Sequence, residues 1–197
     1  MGKILAVLCL AAGIAAYYLF SPHQQQRRAV RHMLAELQAA VNSKEPPKLD
    51  AFLQRALAPE AQVSLQVEFS SLSFLPQHAG MEQRFSREEF IRFIGLTFYS
   101  LSDYGITGTS LEQLDSAGQA GFDLTGFGEG ASYMGGSPIQ SRFLGEMHCD
   151  AQVMFAAASA PQVREAKCHI TLRIVPKDDA QNVQRLKDTL FGRPQQP

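Results

Sequence analysis

Tryptophan is absent from all 197 residues. The commonest aromatic for gripping sugars and cations is therefore missing, and Tyr or Phe replaces it only weakly. Excess charge is missing too, since 18 Lys and Arg against 19 Asp and Glu leave a net charge of -1. Such a balance gives no overall attraction to nucleic acid or to acidic lipid. No Lys/Arg run with interleaved aromatics occurs in the globular part, so no nucleic-acid partner is expected. The sequence also has no Ser/His/Asp constellation, no P-loop, no zinc-protease pattern and no internal repeat of domain size. Gly126, Gly128 and Gly130 do not form a phosphate loop, because no helix follows them to supply the anion site. Bending or bulging of a strand explains them better.

What is present describes a folded chain. Hydrophobic residues make up 45% and charged ones 19%, the balance of a globular protein. The length leaves room for one anchoring segment and one domain of ordinary size. Ile4 to Phe20 carry no charge and follow Lys3. At about 17 residues this run sits at the short limit for crossing a bilayer. Tyr17 and Tyr18 suit an interface, and they make cleavage after Ala15 or Ala16 less clean, so an uncleaved anchor is favoured over a cleaved signal peptide. Cys9 has no lipobox around it, with Leu8 where a small residue is required, and Ala6 replaces the Ser or Thr of a myristoylation signal. Lys3 favours the N-terminus inside, whereas Arg27, Arg28 and Arg31 argue the other way. The expected location is the bacterial inner membrane, crossed once, with the domain on the periplasmic side.

Beyond the anchor, Val30, Met33, Leu34, Leu37 and Val41 repeat at helical spacing until Asn42-Ser43 and Pro46-Pro47 end the run. A shorter helix carries Leu49, Phe52, Leu53 and Leu57. Gln62 to Phe69 alternates strictly, as a strand with one buried side does. After a connection over Ser70 to Gln83 comes the clearest helix, from Phe85 to Leu101. Ser86 and Glu89 form a capping box, and Phe85 and Phe90 a hydrophobic staple. Ile91, Ile94 and Phe98 make an apolar stripe that Phe93 and Leu101 widen, which predicts a mostly buried helix. Four strands follow, over Asp103–Asp115, Gln119–Tyr133, Ile139–Phe155 and Val163–Val175, joined by turns of hairpin length. The chain thus divides into residues 1–22 (anchor or signal segment), 23–176 (the domain) and 177–197, a short helix with Val183, Leu186 and Leu190 before a polar tail.

This order predicts an α+β fold in which a curved antiparallel sheet wraps the long helix, preceded by a single N-terminal transmembrane helix. The succession LDAFLQRALAPEAQVSLQV, SREEFIRFI, FDLTGFGEGASYMGG and CHITLRIV resembles the nuclear transport factor 2-like (SnoaL-like) superfamily over roughly residues 27 to 176. That resemblance implies a cystatin-like cone in which sheet and helices enclose a pocket, and homodimers that pair such domains. A short anchor ahead of such a domain is also similar to inner-membrane components of bacterial type IV secretion systems, although no motif carries that likeness further.

The last two strands hold the residues most open to chemical reading. Pairing their apolar faces sets Cys149 opposite Cys168, Asp150 opposite Lys167 and His148 opposite His169. For the cysteines two readings stand, a cross-strand disulfide or two free thiols packed as small apolar groups. His148, His169 and Asp150 fit a solvated outer face better than a metal site, because no third histidine or ligand spacing accompanies them. Catalytic members of the superfamily place an Asp, Tyr or His inside the cone, but here the inward faces of these strands are apolar. Asp103, Tyr99 and Tyr104 are the only polar candidates near a pocket mouth, and each reads more simply as a rim residue. Ile94, Phe98, Met147 and Cys149 are the expected lining of a pocket for a small apolar ligand. No metal and no cofactor is implied. The favoured function is a membrane-tethered, non-catalytic domain that binds a ligand or another protein. The alternative is a small isomerase, dehydratase or hydrolase acting on an apolar substrate, and a third role is assembly through a self-complementary sheet face.

Overall fold

The computed structural model describes residues 21–69, 81–134, 137–155 and 160–176. The apolar run of Ile4 to Phe20 and the helix expected around Val183 to Leu190 lie outside them. Among the described residues no helix is long and apolar enough to cross a membrane.

Helix α1 spans Pro22–Asn42, with Ser21 as N-cap accepting from the Gln24 N–H. Pro22 opens it where a missing N–H leaves no bond unmade. Its aliphatic stripe is the interior of the molecule: Val30, Met33, Leu34 and Val41 are all buried. Lys44 takes a positive φ of 57° and turns the chain into α2, Pro46–Ala56. There Leu49, Phe52 and Leu53 are buried as expected from the sequence, and Ala56 completes the stripe, because the helix ends before Leu57.

The strands are β1 (Leu57–Phe69), β2 (Met81–Ser86), β3 (Asp103–Leu114), β4 (Gln119–Met134), β5 (Ser137–Met154) and β6 (Gln162–Pro176), with α3 (Arg87–Tyr99) between β2 and β3. They form one six-stranded sheet in the order β2-β1-β6-β5-β4-β3. The four strands after α3 form the expected antiparallel meander. A wholly antiparallel sheet is not found, because β1 lies parallel to β6. The reason is directional. β2 ends at Ser86, level with Gln62 near the start of β1, whereas β3 begins at Asp103, opposite Glu129 near the end of β4. α3 therefore runs the length of the sheet, and three further reversals bring β6 back alongside β1 in the same direction. β2 falls partly in what the sequence suggested was a connection. Its short alternation ends in the buried Phe85. β1 starts earlier than expected, at Leu57, and the irregularity between Leu57 and Gln62 accommodates Pro59.

Bulges shape the far edge. The β3–β4 register shifts between Ile106 and Gly108 and again between Leu111 and Gln113. At the first shift the backbone of the edge strand finds its partner on α1: Asn42 donates from Nδ2 to the Ile106 carbonyl at 2.9 Å and accepts the Ile106 N–H at 2.8 Å. Both exposed edge groups are thereby satisfied. In the β3–β4 turn Gly118 has a φ of +86°, and a Cβ there would sit 2.3 Å from the Val153 carbonyl oxygen. No other residue type fits that position.

The helix expected at the centre is in fact a rim element. None of the 13 residues of α3 is buried. Ile91, Ile94 and Phe98 pack half-buried against the core, while Leu96 is 66% and Tyr99 88% exposed. The correction has a physical cause: α1 fills the interior, so α3 has only an edge left to cover. Its ends are nevertheless fixed. Ser86 and Glu89 make the reciprocal capping box, and bonds from the Ser86 N–H and hydroxyl hold the Glu89 carboxyl below its ordinary range. The Phe85 and Phe90 rings meet edge-on at 6.2 Å, completing the staple. Arg87 reaches the last carbonyls of α2, donating to Gln54 at 2.5 Å and to Leu57 at 3.2 Å.

The β5–β6 register places Cys149 against Cys168, Asp150 against Lys167 and His148 against His169. The two cysteines are joined as a disulfide in the buried layer, with a Cα–Cα distance of 4.1 Å.

Two outcomes follow from this packing. Leu34→Ala lowers unfolding free energy by about 2–5 kcal/mol, whereas Leu96→Ala changes it by about 0.5 kcal/mol or less; urea titration checks both. Alkylation of the unfolded, unreduced chain modifies Cys9 alone, and all three cysteines react after reduction. Mass spectrometry showing three labels without reductant would remove the disulfide.

Candidate functional site

Between α2 and α3 lies an open groove of about 490 Å³. Pro46, Pro47, Leu49 and Leu53 form one wall, and Ile91, Ile94, Gly95 and Phe98 the other. Helical spacing explains the second wall, since Ile91, Ile94 and Phe98 stack along one side of α3. Tyr104, at the start of β3, closes one end, its ring 4.5 Å from that of Phe98. Gly95 keeps the wall low, as no atom lies within 4 Å of where its Cβ would be. Residues with polar ends also line this apolar trough: Asp50, Arg92, Tyr99 and Tyr104.

The residues singled out in the sequence separate in space. Ile94 and Phe98 line the groove, with Tyr99 and Tyr104 at its edge. Met147 and Cys149 do not reach it. Met147 packs half-buried on the sheet and Cys149 is sealed in the core by its bond to Cys168. Asp103 is also elsewhere engaged, ion-paired with Lys44 and accepting the Tyr104 N–H at 2.9 Å. The hydrogen bond from Lys44, with help from that backbone N–H, holds its carboxyl below the usual range. A carboxylate stabilised in this way is a poor general base. What sequence reasoning missed is the α2 wall. Leu49 and Leu53 belong to a stripe that reads as core, and their second role appears only once α3 is set opposite them.

The outer face of the sheet carries a separate polar row. His148 Nδ1 lies 2.6 Å from Asp123 Oδ1 and its Nε2 lies 3.8 Å from Asp150 Oδ1. His169 Nε2 is 3.4 Å from Glu68 Oε2. These side chains are about half exposed, the solvated face that strand alternation implies. Among the described residues no group of three or more His, Cys, Asp or Glu is arranged to hold a metal ion. The hydrogen bond to Asp123, reinforced by the charges of Asp123 and Asp150, raises the pKa of His148 above 6.5. A raised folded-state pKa stabilises the fold below the unfolded value, and that contribution is lost as pH rises through the folded value.

No protein-family model matches the chain, and no curated protein sequence matches it. By structure it is similar to IdmH from Streptomyces antibioticus, a proposed polyketide cyclase, at 16% identity and a TM-score of 0.46, over 79% of this chain and 96% of that one. A phenazine biosynthesis-related protein from Pseudomonas aeruginosa is similar at 10% identity and a TM-score of 0.48, over 90% of each chain. A nuclear transport factor 2-like protein of unknown function from Silicibacter pomeroyi is similar at 13% identity and a TM-score of 0.39, over 75% of this chain and 98% of that one. At these identities and TM-scores neither substrate nor catalytic residue transfers.

The histidine row gives a direct test. In an NMR titration His148 shows a pKa above 6.5, and Asp123→Asn brings it back toward that ordinary value. The stability advantage of the wild type over Asp123→Asn, present in mild acid, fades as pH rises through the His148 pKa. An unchanged titration in the variant would show that the Asp123 contact does not form in solution.

Proposed function

We propose that this domain binds a small apolar molecule in the α2–α3 groove without catalysing a reaction on it, while the segment ahead of Pro22 tethers it to the bacterial inner membrane. The observation that carries the reading is the groove itself. Its volume of about 490 Å³ lies within the roughly 300–1,000 Å³ usual for small-molecule sites, and its walls are aliphatic and aromatic. No histidine lines it, and Asp103, the best-placed acid by sequence, is held by Lys44. The Cys149–Cys168 disulfide supports an oxidising compartment and so a periplasmic domain.

A second reading has a specific observation in its favour. Asp50, Arg92 and Tyr104 are all among the residues that line the groove, and a substrate carbonyl that reached them would meet both a donor and a carboxylate. On that reading the protein is an isomerase, dehydratase or hydrolase of an apolar substrate.

Photolabelling with a medium-chain alkyl diazirine separates these ideas. The expected labels fall on peptides covering 46–53 and 91–99, and Ile94→Glu lowers labelling about tenfold or more, because a charge on the wall costs at least 1.4 kcal/mol. Label spread evenly over the surface and indifferent to Ile94→Glu would sink the binding site. Chemical turnover of a co-purified ligand that Tyr104→Phe abolishes would establish the enzyme instead.

A further inference from the structure

Two charges of opposite sign line the α2–α3 groove, and neither has a counter-charge of its own. We propose that the ligand of this groove is a single-chain zwitterionic amphiphile, its anionic group on Arg92 and its ammonium on Asp50, an inference that rests on reading the groove as a ligand site.

The first observation is selective pairing. The other cations of α2, α3 and the turn before α2 are taken: Lys44 pairs with Asp103, Lys48 with Glu45, Arg55 with Glu36 and Arg87 with Glu88. Among the described residues Arg92 makes no ion pair and no hydrogen bond. Glu89 senses its charge, but that carboxyl is already bonded to the N–H and hydroxyl of Ser86 at 2.9 and 2.8 Å. Asp50 has a neutral partner, accepting from Gln54 Nε2 at 2.8 Å on one oxygen. Its charge is left unopposed and most of its lone pairs stay open. Both residues line the groove, yet they do not pair with each other.

The second observation is where they stand. Arg87, the first residue of α3, donates to the Gln54 and Leu57 carbonyls at the far end of α2. Lys44, ahead of α2, pairs with Asp103, which follows α3. The two helices therefore run in opposite directions along the groove. Counting from the Arg87–Gln54 bond, Arg92 lies about 7.5 Å along α3 and Asp50 about 6 Å back along α2. The two charges thus sit at one level on opposite walls. From there the apolar walls continue to Phe98, about 9 Å beyond Arg92, and Tyr104 closes the end. A ligand with an anion alone would be drawn by Arg92 and repelled by Asp50, and one with a cation alone the reverse. A head carrying both signs, on one chain lying in the trough, satisfies both walls.

The test uses the full chain in nanodiscs of phosphatidylglycerol, a lipid without an ammonium, and three photoprobes that share one alkyl diazirine tail. Their heads are phosphoethanolamine, which carries both charges, its N-acetyl derivative, which keeps the anion, and a primary amine, which keeps the cation. Wild type, Arg92→Gln and Asp50→Asn are compared probe by probe, so that partition into lipid cancels. With the phosphoethanolamine probe each substitution raises the half-labelling concentration of peptides 46–53 and 91–99 about fivefold, the worth of one exposed ion pair. With the N-acetyl probe only Arg92→Gln does so, and with the amine only Asp50→Asn. Phosphoethanolamine labelling of those peptides that neither substitution changes would overturn the head group and leave the ligand site standing. Sensitivity of that probe to one substitution alone would assign a head of single charge and so overturn the zwitterion. No labelling of 46–53 or 91–99 by any probe would overturn the ligand site, and the head group with it.

Discussion

The chain finishes β2 at one end of the sheet and must begin β3 at the other, so α3 has to make the crossing. Much of the architecture depends on that single requirement. It sets the direction of β3 and hence of the whole meander, which is why β6 returns parallel to β1. It also fixes the helix at its two ends rather than along its side. At the start the Ser86–Glu89 box and the Arg87 bonds to α2 hold it, and at the finish the Ser102 bonds to Glu129 do so. Gly128 and Gly130 matter here, because a Cβ at either would press to within 3.0 or 3.2 Å of the Leu101 methyls that anchor this end.

A strut held at its ends leaves its flanks partly uncovered, and the groove follows from this. α1 is the helix that contributes buried mass, through Val30, Met33, Leu34 and Val41, and it is locked to the sheet edge by Asn42 at the β3 bulge. α2 lies against α1 on one side and turns Leu49 and Leu53 toward α3 on the other. The gap between a well-packed helix and a rim helix is where local opening costs least, since few buried contacts oppose it.

Three ionisable groups are tied to nearby partners: Asp103 to Lys44, Glu89 to Ser86 and His148 to Asp123. Asp103 and Glu89 are held in their charged forms, and none of the three lines the groove.

Local pattern settled a large part of this structure. The capping box of α3, the stripes of α1 and α2, the four-strand meander and the β5–β6 register all follow from spacing of two or of three and four residues, and each is decided by neighbours close in the chain. The same holds for Cys149 facing Cys168, because a hairpin with two buried faces admits few registers. Other features depended on which surfaces meet. Ile91, Ile94 and Phe98 read as core because periodicity reports only that a face is apolar. Whether such a face is buried depends on what reaches it, and α1 reached the interior first. Leu49 and Leu53 gained a second role from α3, Asp103 lost its candidacy to Lys44, 59 residues away in the chain, and β1 joined β6 in parallel through a crossing that neither strand encodes. The sequence by itself determined most of the elements and their apolar faces, and the tertiary structure alone decided which of those faces were left uncovered.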